Sequence, residues 1–121
     1  MSSLNRTLAG ANLQFDLERE IESVRGAQPE SASGRTARTL VKDGPLRVTL
    51  TVMRAGSEIA EHAAEGPITI HVLRGSILIV LGGAEVEIRS GELVAAPARE
   101  RHAVRATEEA AFLLTVVMPG G

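Results

Sequence analysis

The chain has 121 residues, a length that suits one domain able to bury roughly two-thirds of its unfolded surface. It contains no cysteine, which excludes disulfides, thiolate nucleophiles and cysteine metal ligands. The net charge is -2 and the isoelectric point is about 5.9, and aromatic residues make up 2% of the chain. This composition offers neither a basic surface nor base-stacking platforms, so we expect no nucleic-acid partner.

The first residues of the chain, "MSSLNRTLAGANLQFDLERE", contain no long apolar run, so we expect no signal peptide. The longest β-rich apolar run, Ile77 to Leu81, is far too short to span a bilayer. We therefore expect a cytoplasmic protein with no membrane partner.

A short amphipathic helix is predicted near the N-terminus, in "FDLEREIESVR". Asp16 is the expected N-cap, and Leu17, Ile21 and Val24 recur at helical spacing. The intervening acidic residues are expected to face outward: Glu18, Glu20 and Glu22. Residues 1–37 are thus interpreted as a tail, this helix and a loop, and the helix is expected to cover one face of the domain.

Residues 38–121 are predicted to form one β domain. Short β-branched runs alternate with turn signals at the spacing typical of an all-β sandwich or barrel. The pair Gly82-Gly83 predicts a two-residue hairpin. The runs that predict strands are "ARTLV", "LRVTLTVM", "PITIHVL", "ILIVL", "AEVEI", "LVAA", "HAVRA" and "AAFLLTVVM".

Side-chain alternation in "PITIHVL" makes both faces of that strand fairly apolar. Ile68 and Ile70 lie on one face, and His71 and Leu73 lie on the other. An antiparallel sheet usually leaves one face to solvent. Covering the second face requires the other sheet, the N-terminal helix or a second subunit, and we expect a homodimer.

Two segments share a spacing, "GSEIAEHAAEGPITIHVLRG" and "GELVAAPARERHAV". In each, five residues separate the first glycine from the next motif residue, which is a histidine in the first segment and a proline in the second. Their arrangement resembles the two signature motifs of the cupin superfamily, and the resemblance extends over about residues 38–117. The matching residues are Gly56, His62 and Gly75 in the first motif, and Gly91, Pro97 and His102 in the second. The resemblance implies a small single-domain cupin of the cupin 2 type: an antiparallel double-stranded β-helix, or jelly roll, in which many members hold a metal.

The resemblance implies metal ligands at four positions, but only His62 and His102 carry a ligating side chain. Ala64 replaces a second histidine, Ile68 replaces a glutamate, and Arg99 stands where the second motif has a glycine. A catalytic metal site normally has three protein ligands. Two imidazoles predict at most a loosely held divalent metal such as iron, manganese, nickel or zinc.

Other residues near the motifs leave alternatives open. Glu65 could complete a metal site, whereas alternation directs His71 away from the pocket unless a β-bulge intervenes. An arginine cluster around His102 could hold a carboxylate or phosphate at the barrel mouth, or could be a solvated loop balanced by nearby glutamates. Its members are Arg99, Arg101 and Arg105.

Three functions follow from these residues. The first is a small-molecule-binding protein with an apolar pocket and little or no metal. The second is a metal-dependent enzyme of the dioxygenase or isomerase type, using His62 and His102. The third is a structural scaffold, which would be favoured if the barrel interior is solidly filled. No nucleophilic triad is present, and the catalytic residues stay unknown. The predicted pocket-lining residues are His62, Ala64, Ile68, Ile70, His102 and Val104.

Overall fold

The computed structural model describes residues 8–27 and 32–119. In these ranges the strands form two antiparallel sheets, a five-stranded sheet of order β1-β2-β9-β4-β7 and a four-stranded sheet of order β3-β8-β5-β6. This confirms the predicted all-β jelly roll with a short N-terminal helix, although the two sheets do not close into a continuous barrel. The elements are α1 (Leu17–Gly26), β1 (Arg35–Asp43), β2 (Leu46–Met53), β3 (Glu58–His62), β4 (Ile68–Arg74), β5 (Ser76–Leu81), β6 (Ala84–Arg89), β7 (Leu93–Ala96), β8 (His102–Ala106) and β9 (Ala110–Val117).

The space between the sheets is filled by one apolar cluster that draws side chains from both of them. Val72 and Phe112 come from the five-stranded sheet, and Ile77, Ile79 and Val104 come from the four-stranded sheet. Each alternates along its strand with residues on the opposite face, as the pleat of a strand requires. The interior is therefore built by the β-branched alternation that the sequence shows.

Helix α1 begins where the sequence predicts, because the Asp16 carboxylate accepts a hydrogen bond from the backbone N–H of Arg19. Ile21 and Val24 are buried against the outer face of the five-stranded sheet, in a cluster with Leu50 of β2. Burying a side chain of this size contributes about 1.5–3 kcal/mol. The helix thus covers part of one sheet face, as expected.

The glutamates of α1 pair with arginines of the sheet rather than only facing solvent. Arg74 of β4 donates hydrogen bonds to Glu18 and Glu22, and Arg38 of β1 donates to Glu20. The bond and charge of Arg74 hold the pKa of Glu22 below its ordinary value, against a smaller effect of burial. These pairs, of which those of Arg74 are exposed and that of Arg38 is part-buried, orient the helix, whereas its apolar face supplies most of the attachment.

The Gly82-Gly83 hairpin has the predicted two-residue loop, because Leu81 pairs directly with Ala84. Both glycines have positive φ, 55° and 81°, as a type I′ turn requires.

The tail that we predict over residues 1–12 is described only from residue 8, and the predicted loop is not described at residues 28–31. The domain boundary at residue 38 stays a prediction, and β1 already begins at Arg35.

Strand β3 is absent from the sequence prediction, although it carries one of the two candidate histidines. In the described ranges, no helix is both long and apolar enough to cross a membrane.

Candidate functional site

The site is formed where the edge strand β3 pairs with β8. The register between these strands shifts between Ile59 and His62, and the irregularity places His62 directly opposite His102. The centres of the two imidazole rings are 4.3 Å apart, and the rings meet edge to face at 63°. A bulge that re-aims a side chain is a common feature beside functional sites. The two histidines that the sequence singles out are therefore neighbours in the fold.

Each imidazole is held by a backbone carbonyl from its own strand or the turn before it. His62 Nδ1 lies 2.9 Å from the carbonyl oxygen of Ala60, and His102 Nδ1 lies 3.1 Å from that of Glu100. A carbonyl oxygen only accepts, so each Nδ1 carries the hydrogen. In the neutral rings each Nε2 is then left with a free lone pair. The pair can accept two hydrogen bonds or ligate a cation.

The histidines differ in their exposure to solvent. His102 is 3% exposed, whereas His62 is exposed at the sheet edge. Val104, two residues beyond His102, belongs to the interior cluster. The pair therefore spans the boundary between the apolar interior and solvent.

Four other predicted pocket residues belong to the apolar interior. Ile68, Ile70 and Val104 are buried in the cluster between the sheets, and Ala64 is half-buried against it. Ile68 and Ala64 occupy two positions where the resemblance implies polar ligands. The interior beside the histidine pair is accordingly apolar at those positions.

The loop between β7 and β8 has a strained backbone at Arg99. This residue has φ of +66°, a left-handed conformation that side chains with a Cβ adopt at a cost, and its N–H donates to the Ala64 carbonyl at 2.8 Å. Glycine would adopt this conformation freely. The loop thus keeps the shape that suits the glycine of the second motif after arginine has replaced it.

The arginine cluster does not converge on the histidines. Arg101 pairs with Glu61 at 2.8 Å on an exposed surface. Arg105 lies opposite Glu58 and Leu78 in the four-stranded sheet, on the face turned away from Val104 and the interior. For Arg101 this arrangement agrees with a solvated loop balanced by glutamates.

Three cavities have linings that include neither His62 nor His102. One, of about 370 Å³, lies between α1 and β1; a second, of about 340 Å³, lies along β3, β5 and β8; and a third, of about 40 Å³, lies under α1 beside Arg74. Of the six predicted pocket residues, Val104 lines the second cavity, and the others line none of the three. A pocket lined by the two histidines therefore stays a prediction.

The donor set does not fit a resident three-ligand metal. Over the part of the chain that the structure describes, no group of three or more histidine, cysteine, aspartate or glutamate side chains is placed to hold a metal ion. Neither Glu65 nor His71 completes such a group. His71 lies between the inward-facing Ile70 and Val72, so the alternation of β4 turns it to the outer face of the sheet.

The motif glycines are required by the backbone. Gly56, Gly75 and Gly91 all have positive φ, between 71° and 88°. A Cβ on Gly75 would also lie 2.0 Å from the carbonyl oxygen of Glu109, whereas a Cβ on Gly56 or Gly91 would meet nothing within 4 Å. Gly56 thus lies in the turn before β3, Gly75 lies between β4 and β5, and Gly91 lies in the turn before β7.

Comparisons with known proteins agree with this architecture. The family model described as "Cupin domain" matches residues 48–118. A conserved protein of unknown function from Streptococcus pyogenes is 28% identical with a TM-score of 0.69, over 75% of this chain and 80% of that chain. A cupin superfamily protein from Desulfitobacterium hafniense is 15% identical with a TM-score of 0.67, over 69% of this chain and 77% of that chain.

A third similar structure is an enzyme. The salicylate 1,2-dioxygenase from Pseudoaminobacter salicylatoxidans, described in adducts with gentisate, is 19% identical with a TM-score of 0.74. The match covers 95% of this chain but 36% of the dioxygenase, and at this identity it concerns the fold. No curated protein is significantly similar to the chain. Because the family model covers more than half of its length, the chain belongs to the cupin family.

Proposed function

We propose that this protein is a small-molecule-binding cupin whose ligand is held by His62 and His102 at the edge of the apolar interior. The ligand class is a small, largely apolar molecule that carries one hydrogen-bond-donating group. The observation that carries the proposal is the hydrogen bonding of both Nδ1 atoms to backbone carbonyls, which leaves the Nε2 atoms of two neighbouring rings as acceptors. The gentisate adduct of the structurally similar dioxygenase supports a small-molecule ligand as a class.

The chemistry of the surroundings sets the size and polarity of this ligand. Ile68, Ile70 and Ala64 belong to the same apolar cluster as Val104, which lies two residues beyond His102 in β8. A group that donates to Nε2 of buried His102 replaces a bond that water would otherwise make.

A metal at this site would use His62 and His102 as its protein ligands. Iron, manganese, nickel and zinc all accept imidazole nitrogen. With two protein ligands such an ion would be held weakly and would exchange with solvent, so we place metal-dependent dioxygenase or isomerase chemistry second to binding. The protein is proposed to act in the cytoplasm as a homodimer.

A scaffold function is favoured by one observation. Ile68, Ile70 and Val72 are all buried in the same cluster, as a solidly filled interior requires. A protein of this kind would use the jelly roll only to present its surface. The two functions differ in whether a donor ligand contacts the histidines.

The decisive experiment is a titration with two probes that differ in the group bonded to one oxygen. Phenol has a hydroxyl donor, and anisole has the same ring and oxygen with the donor replaced by a methyl ether. We expect phenol to shift the backbone amide signals of His102 and Val104 in two-dimensional NMR, with a dissociation constant on the order of millimolar, about -4 kcal/mol. Anisole should bind more weakly.

The variant His62→Ala/His102→Ala provides the control. It should lose the preference for phenol while its fold, checked by circular dichroism, is retained. Equal shifts with phenol and anisole would contradict the proposed role of the histidines, and no shift with either would favour the scaffold. Elemental analysis after loading with zinc, iron, manganese or nickel runs in parallel; one retained equivalent that depends on both histidines would favour the metal-dependent enzyme.

A further inference from the structure

The cavity of about 340 Å³ lies against all four strands of the four-stranded sheet. Its floor contains Leu78 and Val80 of β5, and both side chains are half-buried. They point outward because their neighbours along the strand, Ile77 and Ile79, belong to the interior cluster. Ala103 of β8 lies directly opposite Val80 and adds a small side chain to the floor. The cavity therefore has an apolar floor on the outer face of the sheet.

Charged side chains stand around this floor. Glu58 of the edge strand β3 lies directly opposite Arg105 of β8, and Glu85 belongs to β6 at the other edge of the sheet. Glu61 also lines the cavity, but its carboxylate accepts a hydrogen bond from Arg101 at 2.8 Å. Beyond this ion pair the lining carries two carboxylates and one guanidinium, so negative charge is in excess by one.

The three remaining charged groups are open to a ligand. Among the described residues, Glu58, Glu85 and Arg105 form no ion pair. Arg35 donates a hydrogen bond at 2.7 Å to the backbone carbonyl of Glu58 rather than to its carboxylate. Opposite charges that face each other across antiparallel strands attract. Because Glu58 and Arg105 face each other without pairing, one anionic and one cationic group of a ligand can bind them side by side.

We propose that this cavity binds a small diamino acid, a molecule with one carboxylate, two ammonium groups and an apolar stem between them. Arg105 holds the carboxylate, because a guanidinium matches a carboxylate with two parallel hydrogen bonds. Glu58, directly opposite Arg105, holds the ammonium group next to that carboxylate. The methylene stem crosses Leu78 and Val80, and the terminal ammonium group contacts Glu85.

The spacing of the charges fits a ligand of this length. Arg105 lies directly opposite Leu78, and Glu85 lies directly opposite Val80, two residues further along β5. Two strand spacings of about 4.8 Å and two residues of about 3.4 Å separate the Cα atoms of Arg105 and Glu85 by about 12 Å. An extended four-carbon side chain places its terminal nitrogen about 7–8 Å from the carboxyl carbon, at about 1.5 Å per bond. The remaining distance is within the reach of the two protein side chains.

The balance of charge also determines which ligands are rejected. A diamino acid carries one net positive charge, which balances the excess negative charge of the lining. A dicarboxylic acid would bring a carboxylate beside Glu58 or Glu85, and like charges repel. Glu58, Glu85 and Arg105 are exposed to solvent, so each charge pair contributes little, and we expect a dissociation constant on the order of millimolar.

The test compares three probes by two-dimensional NMR of the full chain at low ionic strength, where exposed charges are screened least. Lysine carries all three charged groups, norleucine lacks the terminal ammonium group, and cadaverine lacks the carboxylate. We expect lysine to shift the backbone amide signals of Leu78, Val80 and Ala103. Norleucine and cadaverine should bind about two- to fivefold more weakly, the effect of losing one exposed charge pair.

Two variants assign the charged groups, and a third is the matched control. Glu85→Gln should bind lysine no more tightly than norleucine, and Arg105→Gln should bind lysine no more tightly than cadaverine. Glu87→Gln is the control, because Glu87 is also on β6 but pairs with Arg89, and the described lining of the cavity does not include it. This control should leave all three affinities unchanged. Thermal melts of the variants check that the fold is retained.

Three results would overturn the proposal. The first is the absence of amide shifts with lysine, and the second is equal affinity for the three probes. The third is a loss of lysine binding in Glu87→Gln as large as that in Glu85→Gln, because the attraction would then come from the overall charge of the sheet. None of these results depends on whether His62 and His102 bind phenol.

Discussion

A glycine position can exclude a side chain for two different reasons, its backbone conformation or a close neighbouring atom. Three glycines of this chain allow the two reasons to be measured separately. Gly91 has φ of +88° and open space around it. Gly66 has no positive φ, but a Cβ on it would lie 1.6 Å from the carbonyl oxygen of Val117. Gly75 combines both conditions, with φ of +71° and a Cβ position 2.0 Å from the Glu109 carbonyl oxygen. Alanine at each position therefore measures the conformational cost, the steric cost and their combination.

The structure gives the expected size of each effect. Gly91→Ala should lose about 1–2 kcal/mol, the cost of a left-handed conformation for a residue with a Cβ. Gly66→Ala should lose about 1–3 kcal/mol, because backbone atoms must move to admit the methyl group. Gly75→Ala should lose about the sum, on the order of 2–5 kcal/mol. Replacing glycine also stiffens the unfolded chain, which offsets about 0.4–1 kcal/mol in each case.

Urea unfolding followed by circular dichroism measures these differences. With the slope of the transition held in common, the midpoints of all three variants should lie below that of the wild type, and that of Gly75→Ala should lie below that of Gly91→Ala. The double variant Gly66→Ala/Gly91→Ala adds a check, because distant and independent changes should add within about 0.5 kcal/mol. Its loss should then be at least as large as that of Gly75→Ala, because the Cβ approach at Gly66 is the closer of the two.

A Gly75→Ala variant no less stable than Gly91→Ala would refute this reasoning. That result would mean that the backbone at Glu109 moves away at no cost. The close approach of the two backbones would then not be the reason for a glycine at position 75.

Three further predictions concern the loop, the helix and the site. Arg99→Gly should raise the free energy of unfolding by about 0.5–1 kcal/mol, because it removes the cost of the left-handed conformation. The midpoint of thermal unfolding should rise by several degrees. Arg99→Ala keeps the Cβ and should leave the midpoint unchanged. The lowered pKa of Glu22 in the folded state stabilises the protein above the ordinary pKa of 4.5, and this contribution is lost as the pH falls through the folded pKa. Glu22→Gln should therefore be less stable than wild type at pH 7, and urea midpoints measured down to pH 3 should converge; a gap independent of pH would contradict the pairing with Arg74. Ala64→His supplies a third imidazole at a position where the family has one, so it should retain near one equivalent of zinc after gel filtration, whereas full retention by the wild type would show that two histidines suffice.

The sequence predicts the fold where its strands are half-buried. In β2 the predicted run "LRVTLTVM" coincides with the strand, Leu46–Met53. Leu50 and Val52 on one face pack with α1, and Met53 on the other face packs in the interior. Strand β3 gives no such signal, because it is an exposed edge strand with Glu58 and Glu61 and an irregular register. The strand that is hardest to predict is thus the one that carries His62.

The candidate site is predictable only as a list of residues. Motif spacing selects His62 and His102, but their edge-to-face contact depends on the shifted register of β3 against β8, a long-range pairing that spacing does not contain. The strained Arg99 has one signal in the sequence, its place at a position that is glycine in the family motif. The pairing of Glu18 and Glu22 with Arg74 has none, since these residues are far apart in the chain.

The edge position of β3 has a consequence for exchange kinetics. In the described fold this strand hydrogen-bonds to β8 on one side, and its pairing is interrupted before His62, so it can separate from the sheet while the other described strands stay paired. Its amide hydrogens should exchange with deuterium ahead of those of β8 and β5. Such opening also uncovers His102 and the apolar side chains behind it, so the frequency of β3 opening would limit how fast a molecule from solvent reaches them.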